Sequence, residues 1–197
     1  DTVRIHGIIN QGGASVSAVP SDVRLEWRVR SSTSQAVMAN SKKVDRCFKA
    51  GAMAVGATVN ITNIPGYLPM LHDPTLQNLF LHNAAQLVGH DHVVTIPATK
   101  NRGGSTDMGD LSHIMPVCHP YTAGAAGLGH SNQYTIEDYD KAVVNPAKIM
   151  AMVLIDLLAD GASQAKDIID KTKSPMTRKQ YVDFQRKRAE IITFNGG

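Results

Sequence analysis

The chain has 197 residues, 43% of them hydrophobic and 19% charged, ordinary globular proportions that exclude extensive disorder. Its 20 Lys and Arg against 17 Asp and Glu leave a net charge of only +3, and the basic residues are not interleaved with aromatics, so a nucleic-acid partner is not expected. Cys47 and Cys118 form neither a disulfide framework nor a CxxC metal knuckle and read as reduced thiols of a cytoplasmic protein.

The segment TVRIHGII alternates in strand fashion, NQGG supplies a turn, and DVRLEWRVR alternates again. In the latter, Val23, Leu25, Trp27 and Val29 share one face and Arg24, Glu26, Arg28 and Arg30 the other, which predicts a half-buried antiparallel strand. A helix follows from caps near Ser32 to Ser34, burying Val37, Val44, Phe48 and Met53, and stops at Gly56 before the strand TVNIT. Strand, strand, helix, strand is a ferredoxin-like sandwich without its first strand and helix. The chain also opens without Met inside a strand, so it reads as a piece of something longer, and no signal peptide is visible.

The Pro-rich stretch IPGYLPMLHDP sets a domain boundary near residue 65, giving a first domain of 1–65 and a second of 66–197. Pro74 starts a helix that Gly89 closes, and HVVTIP and SHIMPVCHPYT read as strands around a glycine-rich stretch. Helices then dominate: NPAKIMAMVLIDLLAD, ASQAKDIIDKTK and SPMTRKQYVDFQRKRAE, the last with Pro175 placed for a first turn. The longest apolar run, IMAMVLIDLLA, contains Asp156 and is too short for a bilayer, so no membrane partner is expected.

Chemistry concentrates between Gly103 and His130, which hold three histidines, two aspartates and a cysteine among small residues. On one turn of helix Asp107, Asp110 and His113 would share a face and could ligate a metal or move protons; equally, Ser105, Thr106 or Asp107 could cap a helix with Asp110 a solvated first-turn acid. Two glycines before Ser105-Thr106 would let backbone N–H groups face an anion. His130, flanked by glycine in a loop, is either a metal ligand or a surface histidine, and His119, held extended before Pro120, lines a pocket or is a core histidine. His6 reads as strand surface and His72, His82, His90 and His92 as structural. No GxSxG elbow, P-loop or GxGxxG occurs, and Cys118 cannot pair with its strand neighbour His119.

The strings RIHGIINQGG, AVPSDVRLEWRVRS, GGSTDMGDLSHIMPVCHPY and GHSNQYT, in this order and spacing over nearly the whole chain, resemble the M20 metallopeptidases, in particular the dipeptidase and amidohydrolase branch. The resemblance implies an α/β chain: an α+β ferredoxin-like lid that dimerises, followed by the C-terminal part of a zinc-peptidase-like catalytic domain. It implies hydrolysis of dipeptides or N-acyl amino acids by a water bridging two metal ions, usually zinc, with a glutamate as general base. By position, His130 corresponds to a metal ligand. Gly104, Ser105, Thr106 and Asp107 correspond to the loop beside the metals, with His119 also assigned to the substrate pocket. Arg30 corresponds to a lid arginine that holds the substrate carboxylate, a task suited to its fork.

Ser17 stands where relatives of this family carry Asn. The family's HxH-type motif, bridging acid, Glu-Glu pair and lid histidine lie in an N-terminal half that is not in this sequence. The chain alone is therefore expected to be inactive, with that half, a homodimer partner and a small substrate as its partners. The alternative is a non-catalytic module that dimerises through the lid or binds a ligand at Arg30 and the GGSTD loop.

Overall fold

The computed structural model describes residues 2–97 and 104–197. It is a mixed α/β structure whose contacts divide it into two units, Asp1–Pro69 with Asn101–Ser105 and Val182–Gly197, and Met70–Lys100 with Thr106–Tyr181.

In the first unit β1 (Arg4–Gln11) and β2 (Arg24–Arg30) form a two-stranded antiparallel ribbon. Its register sets Ile5 opposite Val29, Gly7 opposite Trp27 and Ile9 opposite Leu25, all on one face. Gly7 is needed because a Cβ there would lie 2.5 Å from the Trp27 ring. Helix α1 (Ser34–Ala54) is capped by Thr33, whose hydroxyl accepts from the Ala36 N–H at 3.2 Å. Phe48 of α1 meets Trp27 edge-on, with 5.9 Å between ring centroids. The cover is narrower than the alternation predicts: Leu25 and Trp27 each keep 45% of their surface exposed, and Met53 faces solvent. One helix cannot cover a twisted ribbon along its length.

Strand β3 (Thr58–Asn63) forms where TVNIT predicts it. Its partner is the C-terminal strand Glu190–Asn195, paired antiparallel from Thr58↔Asn195 to Asn63↔Glu190. That strand was not expected, and it draws the end of the chain back beside residues 1–65. Buried Ile61 and half-buried Val59, Ile192 and Phe194 lie on one face of the pair, and Ala52 of α1 packs on the tail at Gly196.

In the second unit α2 (Pro74–Val88) starts at Pro74 under an Asp73 cap and ends at Gly89, as its signals require. A short helix, α3 (Met108–Ser112), and a small hairpin of β4 (Ala125–Ala126) and β5 (Thr135–Ile136) precede a π turn at Asp140–Val144. Helix α4 (Asn145–Lys171) then packs on α2, where the Asn83 amide donates to the Asp156 carboxylate at 2.7 Å. Left-handed or extended backbone at Ala159–Ala162 splits α4 into the two helices read from sequence. By length and composition Asp140–Lys171 is apolar enough to cross a membrane, with an 18-residue window of mean hydropathy 1.8 and 6% of it buried. The next helix, α5 (Arg178–Arg188), begins at a reciprocal capping box and not at Pro175: Thr177 and Gln180 exchange backbone and side-chain bonds of 2.8 and 3.2 Å. The last strand is β6 (Glu190–Asn195).

HVVTIP and SHIMPVCHPYT form no strand. Both are apolar and extended in pattern, but a strand also needs a neighbour to complete its ladder, and the second carries Pro116 and Pro120, which cannot donate.

Candidate functional site

The glycine-rich stretch leads into α3. Gly103, first of the two glycines, lies outside the described residues; Gly104 and Ser105 are exposed. The Thr106 hydroxyl accepts from the Met108 N–H at 3.3 Å and sits 3.2 Å from the Asp107 carboxylate, so Thr106 makes the turn that the sequence left open among three residues. The Gly109 and Asp110 N–H groups donate to the Thr106 and Asp107 carbonyls at 3.0 and 2.9 Å. Three N–H groups at the start of α3 are thus used internally and do not face an open anion site. The other end of α3 is an anchor: buried Ser112 accepts from the Leu71 N–H at 3.0 Å, and the His113 carbonyl accepts from the Met176 N–H at 3.0 Å. Asp107, Asp110 and His113 do not form a metal-holding group.

His119 acquires a neighbour that the sequence treated as structural. The Asp73 N–H donates to the Val117 carbonyl at 2.9 Å, laying the two extended segments side by side, and the His119 N–H reaches Nδ1 of His72 at 3.5 Å. The His119 ring meets Tyr121 edge-on at 5.5 Å. Burial, with repulsion from His119, holds the His72 imidazole below its ordinary range. Burial, with the Asp73 charge beside it, raises the Cys118 thiol, which lowers its thiolate fraction. The signal that could have found His72 is its place before the Asp73-Pro74 helix start, which fixes its backbone.

His130 lies in the loop between β4 and β5. Gly127, at φ +92°, is needed because a Cβ there would overlap the Gln133 carbonyl. Inside the loop the Ser131 N–H and hydroxyl both donate to the Leu128 carbonyl, at 3.1 and 2.7 Å. This bracing presents His130 exposed and in left-handed backbone at φ +65°, a conformation that costs energy for most residues. Arg30 closes β2 opposite Arg4, and Ser17 sits in the exposed loop after β1, its hydroxyl 2.9 Å from that of Ser15. Arg30 and Ser17 belong to the first unit; Thr106, Asp107, His119 and His130 belong to the second.

A two-zinc centre needs several donors, and this donor set does not fit one: among the described residues no three His, Cys, Asp or Glu side chains come close enough to share an ion.

No protein-family model matches the chain. Curated proteins do match, and they define its class: the chain is related to the M20 peptidases. The Xaa-Arg dipeptidase of Mus musculus is 31% identical over 163 residues, which cover 80% of this chain and 38% of the mouse protein. The Xaa-Arg dipeptidase of Homo sapiens is likewise 31% identical over 163 residues, covering 37% of its length. The chain therefore spans well under half of the relatives it matches.

Proposed function

We propose that this chain is the lid and C-terminal portion of an M20-type amide hydrolase acting on dipeptides or N-acyl amino acids, and that it is inactive by itself. The observation that carries this reading is His130: one imidazole, braced in left-handed backbone on an exposed loop, and in no group of three or more possible metal donors among the described residues. A rigid single ligand suits a zinc centre completed by another polypeptide segment. The likeness to two Xaa-Arg dipeptidases supports the same reading. In it Arg30 holds the substrate carboxylate, Ser17, Gly104, Ser105, Thr106, Asp107 and His119 border the substrate, and the general base and remaining zinc ligands come from outside. The lid also supplies a homodimer contact, and the protein is cytoplasmic.

The test is reconstitution. The pure chain with zinc is expected to hydrolyse no dipeptide, and mixing it with the N-terminal part of an Xaa-Arg dipeptidase is expected to yield zinc-dependent hydrolysis that His130→Ala removes. Hydrolysis by the chain alone, or reconstituted activity indifferent to His130→Ala, rejects the reading.

A further inference from the structure

Helix α4 carries three consecutive residues in left-handed backbone, Asp160 at φ +49°, Gly161 at φ +68° and Ala162 at φ +61°, just after an extended Ala159. Glycine adopts that region freely and Asp tolerates it, but alanine there crowds its Cβ against the backbone, and left-handed residues ordinarily occur singly. The local sequence does not ask for the break. Leu158-Ala159-Asp160-Gly161-Ala162-Ser163 holds no proline, alanine is the best helix former, and Gly161 is the one weak position. Were residues 159–162 helical, Asn145–Lys171 would be a single rod about 40 Å long.

Packing supplies the break. Before it, the Asp156 carboxylate accepts from the Asn83 amide at 2.7 Å. Beyond it, Ile168 is buried and the Thr172 hydroxyl donates to the Asp73 carboxylate at 2.6 Å. On a straight helix Asp156 and Thr172, sixteen residues apart, would stand about 24 Å from each other, whereas Asp73 and Asn83, ten residues apart along α2, span about 15 Å. A single chain keeps both contacts by kinking, and the Lys166 ammonium ties the kink by donating to the Gly161 carbonyl at 2.9 Å. Two chains need no kink, because the contacts made beyond it can be made on the other copy.

We infer that residues 159–162 are a hinge through which two copies of this chain exchange residues 163–197. In the exchanged dimer Asp160 and Ala162 return to helical backbone. Ile168, Thr172 and β6 then settle on the other copy's α2 and β3, in the contacts that they make within one chain. Short hinges under strain favour such an exchange, since the interface is already built in the single chain. This contact is separate from the lid contact proposed above, which leaves the tail of each chain on itself.

The experiment refolds the full 197-residue chain from urea at low and at high protein concentration and separates monomer from dimer by size-exclusion chromatography. Concentrated refolding is expected to give a dimer that persists for hours after dilution, since reversal requires the tail to come off. Asn60 and Thr193 report which chain the tail sits on, for they are opposed in β3 and β6 with the Thr193 hydroxyl 2.8 Å from the Asn60 side-chain oxygen. In a Cys47→Ser, Cys118→Ser background, Asn60→Cys with Thr193→Cys is expected to join two chains in the dimer and to close within one chain in the monomer, read on a non-reducing denaturing gel. Gly161→Ala, whose added methyl meets no atom within 4 Å, is expected to raise the dimer yield at least threefold. Ala162→Gly is expected to lower it at least threefold while raising the Tm of the monomer. No persistent dimer, a dimer whose cysteines close within one chain, or a dimer yield that Ala162→Gly leaves unchanged or increases each overturns the inference.

Discussion

Asp73 is only 8% exposed, yet its polar atoms are all engaged across three segments. One carboxylate oxygen accepts from the Leu76 N–H at 2.9 Å, capping α2, and the other accepts the Thr172 hydroxyl at 2.6 Å where α4 ends. Its own N–H donates to Val117. Losing a cap costs about 1 kcal/mol, and a bond to a charged group is worth about 1.5–3 kcal/mol. Asp73→Ala is therefore expected to destabilise the chain by about 3 kcal/mol in urea unfolding, with Asp73→Asn costing less because an amide oxygen still caps. A loss within 1 kcal/mol of zero would mean that Thr172 and the start of α2 hold without it. Cys118 gives a second readout: removing the Asp73 charge moves the thiol back down, so alkylation at fixed pH should speed up.

The elements that carry their own stop and start signals were legible in the sequence. Thr33, Asp73-Pro74 and Gly89 are local devices, and α1 and α2 lie where those devices put them. What local pattern could not supply was pairing. β3 was readable as a strand, but its partner lies more than a hundred residues away, and the pattern ends the last helix at Glu190 and leaves IITFN unassigned. HVVTIP and SHIMPVCHPYT fail in the opposite sense, having strand composition without a ladder. The candidate residues divide the same way: the loop position of His130 was visible from its glycines, whereas His72 beside His119 depends on the Asp73–Val117 contact. Since β6 is the only strand paired with β3 among the described residues, truncation after Ala189 should expose Ile61 and release the tail from Ala52. The shortened chain is expected to lose at least 3 kcal/mol, and Ile192→Ala about 2 kcal/mol, in urea unfolding. Unchanged midpoints would mean that the strand is an ornament on a unit held by α1.

At the scale of the whole molecule the decisive feature is α4, which is apolar on more sides than this chain covers. Ile149 is buried and Asp156 binds Asn83 on the side facing α2, while Met150, Leu154, Ile155 and Leu158 form an exposed stripe at helical spacing. A helix hydrophobic all round belongs inside a structure, and contiguous exposed apolar side chains drive association. A net charge of +3 offers little repulsion to oppose that. The pure chain is therefore expected to self-associate as concentration rises in sedimentation velocity, and Leu154→Lys with Leu158→Lys should return it to a monomer without changing its circular dichroism. If the remainder of an M20 polypeptide is what covers this stripe, adding an N-terminal dipeptidase segment should suppress association of the unaltered chain and fail to bind the double variant. Association that persists in the double variant would shift attention to the exposed side of the β1–β2 ribbon, where Ile9 and Leu25 lie open.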